Sequence, residues 1–281
     1  MIINNLLLIL IIIILISIIL TKHCQNKIEN FKNISNENLL ILQSPSLLSS
    51  TPLSLQSSTI SISICIPCFP RDTPKLDRLI NSINNQKVRP NMIIIGHSEM
   101  SKKDAKKLED KFRANPVKVI VISTPKKQWA AQNRNMAASI NTCDYISFMD
   151  ADDIMYPNRI QILLDIIKQY QPLSVIHNYT MDTNYKYNNT IKDIKLGKEV
   201  YDIGKKDNKT LHLSSIQVHH GHITIHKNVI KKIKQNETEK YKRGEDSKFV
   251  RDILEYYGRN DKTMIYIDIP LSYYKAAIYQ N

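Results

Sequence analysis

The chain opens on an apolar run. Residues 6–20 read LLLILIIIILISIIL, with Ser17 the one polar residue. A helix rises 1.5 Å per residue and about 20 apolar residues span a bilayer. Residues 1–21 therefore read as a single membrane anchor at the short end of that range. A cleaved signal peptide is the competing reading. Against it stand the lack of Lys or Arg before the run and of a small-residue cleavage site after it. Residues 22–58 show no sustained period. Within them SPSLLSSTPLSLQSS (44–58) is Ser/Pro/Leu-rich and uncharged, the pattern of a stem.

From Thr59 the pattern alternates between short apolar runs and helical spacing, and residues 59–281 read as one domain. ISISICIP (60–67) predicts a strand ended by Pro67. Thr73 and Pro74 predict a helix start, with Leu76, Leu79, Ile80 and Ile83 on one face. MIII (92–95), VKVIVI (117–122), YISFM (145–149) and LSVI (173–176) predict further strands. Between them helices are expected after Ser101 and Asp104, from Thr124 and Pro125 through Ala138, and from Pro157. This βα alternation implies an α/β fold, a mainly parallel, doubly wound sheet with helices on both faces. Residues 182–215 give no clear element. IQVHHGHITIH (216–226) alternates like a strand, Phe249 to Tyr257 has helical spacing, and MIYIDI (264–269) predicts a last strand.

Composition narrows the function. Six glycines among 281 residues, at 96, 197, 204, 221, 244 and 258, spell neither GxGxxG nor GxxxxGK[ST]. A nucleotide, if bound, is not held by a glycine-rich cradle. Four cysteines are too few for a disulfide scaffold. The net charge is +13, and residues 1–58 hold three lysines against two glutamates, so +12 belongs to the domain. Such charge suits nucleic acid, a membrane surface or phosphorylated small molecules. Aromatic residues at 7% and the lack of a nucleic-acid motif argue against the first.

The sharpest chemistry is Asp150-Ala151-Asp152-Asp153, directly after YISFM. Ligands of open α/β sheets bind outside the carboxyl ends of the strands. Clustered carboxylates there repel one another, and a hard divalent cation shared with substrate phosphates relieves that. A solvated turn ahead of the helix at Pro157 is the plainer reading, and Asp153 can do that alone.

ICIP (64–67), AAQNRNMAAS (130–139), FMDADDIMYPNRI (148–160) and RGEDSKF (243–249) together resemble glycosyltransferase family 2, over about residues 59–275. The resemblance implies a Rossmann-like GT-A fold and metal-dependent (Mn²⁺ or Mg²⁺), inverting transfer from a nucleotide sugar, UDP-linked in the favoured case. The hydroxyl acceptor would be a glycan, a protein or a lipid. It implies that Asp152 ligates the metal, that Asp150 contacts the ribose or sugar or joins Asp152 on the metal, and that Arg134 and Asn135 line the donor site. Pro67, Phe69 and Arg71 fall in the loop facing the nucleotide, Lys275 in a late aromatic-basic segment touching the diphosphate. Asp246 matches the catalytic base; a helix cap shared with Glu245 is the alternative.

Some positions depart from the family pattern. Pro70 stands where the first loop often has Asn, and Gly96-His97-Ser98-Glu99 replaces a usual carboxylate at the end of the second strand. These departures keep open a non-catalytic sugar- or nucleotide-binding module. Read as a strand, the segment around Gly221 puts His220, His222 and His226 on one face, with His220, Gly221 and His222, and Glu245 further on, as candidate acceptor contacts. Cys65 and Cys68 read as packing residues, since their CxxC does not open a helix. Lys227 to Arg243 carries seven basic residues against Glu237 and Glu239, by default a solvated face. The expected location is a membrane, with the domain in the lumen of the secretory pathway. A cytoplasmic-facing domain is the alternative, since Lys22 and Lys27 follow the apolar run.

Overall fold

A computed structural model describes residues 59–182, 184–185, 194–196, 220–238 and 244–274, with 194–196 and 220 as backbone alone. The anchor at 1–21, the stem at 22–58, His219 and Lys275 lie outside the described residues. Among those described, no helix is long and apolar enough to cross a membrane.

In chain order the elements are β1 (Ile62–Cys68), a 3-10 turn (Pro70–Lys75), α1 (Leu76–Asn84), β2 (Met92–Ser98), α2 (Lys102–Lys111), β3 (Lys118–Thr124) and α3 (Ala130–Ser139). Then follow β4 (Tyr145–Phe148), β5 (Ile154–Met155), α4 (Arg159–Tyr170), β6 (Ser174–Thr180), β7 (Ile194–Leu196), β8 (Ile223–His226), α5 (Lys227–Lys232), α6 (Glu245–Tyr257) and β9 (Met264–Tyr273). The sheet order is β3-β2-β1-β4-β8-β6-β9-β5, with β7 also on β9.

β1 shows why two helical layers form. Its side chains alternate across the sheet. Ile62, Ile64 and Ile66 pack with Leu76, Leu79, Ile80 and Ile83 of α1 and with Ile160, Leu163 and Ile167 of α4. Cys65 packs on the other face with Ile146 and Phe148, Ala137 and Ala138 of α3, and Phe249 and Ile253 of α6. Both faces are buried, so the parallel strands read as continuous apolar runs. Burial pushes the Cys65 and Cys68 thiols up to about 12, the state of inert packing residues.

Three expectations need correction. The sheet is mixed rather than mainly parallel. Strands β3-β2-β1-β4 are parallel, but β8 enters antiparallel to both β4 and β6, and β5 and β7 are antiparallel to β9. β6 keeps the direction of the first four strands one place further out, parallel to β9. Secondly, α3 begins at Ala130, not Thr124, because Thr124 still pairs with Ser98 in β3. Gln132 Oε1 accepts the Trp129 amide at 2.8 Å and closes the real helix start. Likewise Thr73 caps no helix; its hydroxyl lies in the 3-10 turn, 3.3 Å from the Phe69 carbonyl. Thirdly, residues 220–222 form a 3-10 turn and the strand spans only Ile223–His226, so His220 and His222 do not share a strand face.

Gly96 fixes how closely α3 approaches. A Cβ there would stand 2.2 Å from the Asn133 carbonyl oxygen, so any side chain would lift α3 off β2. That approach delivers Asn133 and Arg134 to the carboxyl ends of β1 and β4.

Candidate active site

The acidic turn leaves β4 at Asp150 and is pinned from several sides. Met155 N donates to Ser82 Oγ (3.0 Å), Tyr156 N to the Leu271 carbonyl (3.0 Å) and Lys87 N to the Pro157 carbonyl (2.8 Å). Gln86 bridges the following helix, its Oε1 accepting from Ile160 N and its Nε2 donating to the Tyr156 carbonyl.

Each predicted carboxylate has a definite neighbour. Arg134 Nη2 lies 2.6 Å from Asp150 Oδ1, and Arg134 Nη1 lies 3.5 Å from Glu245 Oε1. One guanidinium thus joins the turn after β4 to the first turn of α6, with Arg134 and Glu245 111 residues apart. Burial raises the Glu245 pKa, with Asp246 and Asp150 adding to the rise and Arg134 opposing it. Asp152 turns the other way. Its Oδ2 is 3.3 Å from Lys75 Nζ, which also reaches Asp72 Oδ1 at 2.7 Å. The Asp152 carbonyl accepts from Arg78. Asp246 accepts the Ser247 amide on Oδ1 (2.7 Å), while among the described residues Oδ2 has no partner.

Phe69, Arg71, Trp129, Ala131, Asn236 and Glu245 line a cavity of about 180 Å³ beside this network. The Arg71 guanidinium lies 5.5 Å above the Phe69 ring. Phe69, Arg71 and Glu245 share this cavity, and Glu245 links it through Arg134 to Asp150.

Other predicted contacts do not join them. Pro67 is buried within β1 opposite Gly96, so it packs the strand and does not face a ligand. Asn135 clamps the chain beyond α5: Nδ2 donates to the Gln235 carbonyl and Glu237 Oε1 (both 2.8 Å), and Oδ1 accepts Gln235 N (3.0 Å). Gly221 approaches protein, not ligand; a Cβ there would meet Asp153 Oδ2 at 3.3 Å and Asp150 N at 3.4 Å. His222 is fully buried, stacked on Tyr179 (4.6 Å between centroids, 20°) and near His177 and Tyr274. It therefore supports the cleft wall and is closed to an acceptor. The side chain of His220 lies outside the described residues.

At the end of β2, His97 and Ser98 are buried and already engaged. His97 Nδ1 donates to the Ser98 carbonyl (2.7 Å), so in the neutral ring that burial favours, Nε2 accepts from Thr73 Oγ1 (2.8 Å). Ser98 Oγ accepts from Asn133 Nδ2. Glu99 is the exposed group there, held at φ 56°.

Sequence reasoning passed over Lys75, Asp72 and Tyr179. Burial raises the Tyr179 pKa, and Asp246 and Asp153 add to the rise, so this ring belongs to the cleft. A tyrosine at the carboxyl end of the strand after α4 was the available signal.

Cations and carboxylates interlocked at the carboxyl ends of parallel strands, with helices on both faces, make a charged cleft in an α/β fold of the GT-A class. Solved structures share the fold. S. aureus TarS aligns with TM-score 0.56 at 14% identity, over 78% of this chain and 37% of that one. The structure titled S. aureus TarS 1-349 in complex with UDP-GlcNAc aligns with TM-score 0.55 at 14% identity, over 76% and 58%. The family model described as "Glycosyl transferase family 2" matches residues 63–234, more than half of the chain. The chain belongs to glycosyltransferase family 2. An uncharacterised glycosyltransferase of Methanocaldococcus jannaschii is 24% identical over 178 residues, 63% of this chain and 59% of that protein. The chain thus spans less than two thirds of the length of each of these three proteins.

Proposed function

We propose that this glycosyltransferase moves a sugar from a nucleoside-diphosphate donor, UDP-linked in the favoured case, to a hydroxyl on a glycan, protein or lipid, with inversion. The observation that carries the reading is Asp246, whose Oδ2 accepts no hydrogen bond among the described residues, beside the Arg134–Asp150–Glu245 network. An attacking hydroxyl has a high pKa and must lose its proton as the new bond forms. A carboxylate with one oxygen fixed by Ser247 N presents the other as general base. Arg134 holds Asp150 and Glu245 against their mutual repulsion and keeps both aimed into the cleft. The cavity beside Phe69, Arg71 and Trp129 supplies aromatic surface and positive charge for the nucleotide. That S. aureus TarS was solved with UDP-GlcNAc supports UDP as the carrier.

Among the described residues no three acidic, histidine or cysteine side chains are grouped to hold a metal by themselves. Mg²⁺ or Mn²⁺ bound together with a diphosphate needs only one or two protein carboxylates. Asp152, 28% exposed and bonded through one oxygen to Lys75, meets that requirement, and Asp150 is the second candidate. Such a cation would stabilise the leaving diphosphate. Residues 6–20 would anchor the protein in a membrane, with the domain lumenal.

A thermal-shift panel of nucleoside-diphosphate sugars, with Mn²⁺ or with EDTA, tests this reading. At a hundredfold excess over Kd the true donor stabilises by about 2.7 kcal/mol, or roughly 7 °C. A UDP-sugar should give that shift with Mn²⁺ and lose it with EDTA. Equal shifts in EDTA remove the metal, and a flat panel removes the donor class.

A further inference from the structure

We infer that Arg159, which does not reach the cleft, is the positioning residue of the acidic turn: its buried guanidinium ties down the end of β4 and supplies the positive charge beneath Asp150 and Asp153. Arg159 is wholly buried and heads the fully buried side chains by volume. It is the first residue of α4, its amide donating to the Tyr156 carbonyl at 3.1 Å. Nη2 donates to Ser147 Oγ and to the Phe148 carbonyl, both at 2.8 Å, and Nη1 lies 2.9 Å from Met149 Sδ. Those three residues immediately precede Asp150. The rigid fork therefore holds the stretch of chain that launches the turn, which a flexible ammonium does less well.

The three acceptors are neutral and do not offset the charge. A buried ion without a counter-ion is strongly unfavourable. Burial lowers the Arg159 pKa to about 9, and Asp153 and then Asp150 oppose that fall. Asp153 is itself wholly buried, closed on one side by the backbone at Gly221. Nearby polar groups add no charge. Ser147 Oγ also accepts from Thr224 Oγ1 (2.9 Å), and burial and Arg159 together hold His177 neutral. The turn thus has a cation on each side, Arg134 from the cleft and Arg159 from the core. The sequence puts Arg159 nine residues after Asp150 in FMDADDIMYPNRI.

The test uses the full chain in detergent, with melting temperature and UDP affinity (Mn²⁺ present) read for Asp153→Asn, Arg159→Met, their double variant and Arg159→Lys. Each of the first two should lower Tm by about 10 °C, because each removes one of two opposite charges buried close together. The double variant should recover at least half of that loss, since both charges are then gone. Additive losses, or a double variant as unfolded as Arg159→Met, overturn the charge role. Arg159→Lys keeps the charge without the fork, so it should stay folded and bind UDP about tenfold more weakly. Wild-type UDP affinity in a folded Arg159→Lys chain overturns the positioning role. The UDP arm rests on the proposed function: a wild-type chain indifferent to UDP would sink that reading and leave the double-variant cycle standing.

Discussion

In the turn after β4, Asp150 faces Arg134, Asp152 faces Lys75 and the buried Asp153 lies in the field of Arg159. At the start of α6 only Glu245 has a cation, and Asp246 has none among the described residues. Both segments are short acidic runs at the carboxyl side of the sheet, yet their pairing differs, and the proposed function gives them different tasks. Carboxylates locked to cations hold shape and place charge. A carboxylate with one free oxygen at a helix start is available to take a proton. The comparison divides binding from chemistry, and substitutions on its two sides should behave differently.

The largest expected effect lies on the unpaired side. Asp246→Asn should reduce donor turnover by about 10²–10⁴-fold, the usual contribution of a general base. UDP affinity should stay within about twofold, because among the described residues no cation loses a partner. A turnover assay beside a binding titration checks both. Undiminished turnover would move the base elsewhere, while a parallel loss of UDP binding would place Asp246 among the binding groups.

On the paired side the cost should appear in stability first. Arg134→Met leaves Asp150 and Glu245 facing each other, both mostly buried. Removing one partner of a buried ion pair costs about 3–5 kcal/mol, measured here as a lower urea midpoint. The loss should grow with pH. Glu245 titrates above its ordinary 4.5 when folded, so the stability it contributes is full below pH 4.5 and lost as pH rises through the folded value. Without Arg134 that value climbs further and the loss extends to higher pH. A pH-independent difference between wild type and variant would mean that Arg134 does not act on Glu245.

How much of this was readable in advance depended on what each residue had to do. β1, β2 and β4 are buried on both faces, and their apolar runs announced them; β3, at the sheet edge and only partly buried, still carries the run VKVIVI. The region from β5 to β9 was harder. β8 is four residues long and its position between β4 and β6 depends on partners distant in sequence. The HHGH segment carries alternating polarity, yet Gly221 packs against Asp150 and Asp153 and turns the chain into a 3-10 helix instead of a strand. In the site, the acidic motif and the Arg-Asn pair were legible as residue types. Their pairings were not, because spacing along the chain does not say that Arg134 joins Asp150 to Glu245 while Asn135, its neighbour, clamps Gln235.

The smallest expected effect comes from a paired carboxylate outside the cleft. Asp144 Oδ1 holds Lys227 Nζ at 2.8 Å, and Oδ2 accepts from the Ser61 amide and hydroxyl at 3.1 and 2.8 Å. These partners, Lys227 first, lower its pKa to about 2 from 3.8. A depressed carboxylate contributes stability that is present above the unfolded value and lost as pH falls through the folded one. The side chain is 39% exposed, so solvent screening reduces the gain to about 1 kcal/mol. Asp144→Asn should therefore lower stability by about that amount at pH 6, and the gap from wild type should close between pH 4 and pH 2. Donor turnover should not change. Urea titrations at those pH values, with an activity assay at pH 7, decide it. Lost turnover with stability intact would show that pairing to a cation marks functional carboxylates wherever it occurs, and would erase the distinction between the two acidic segments.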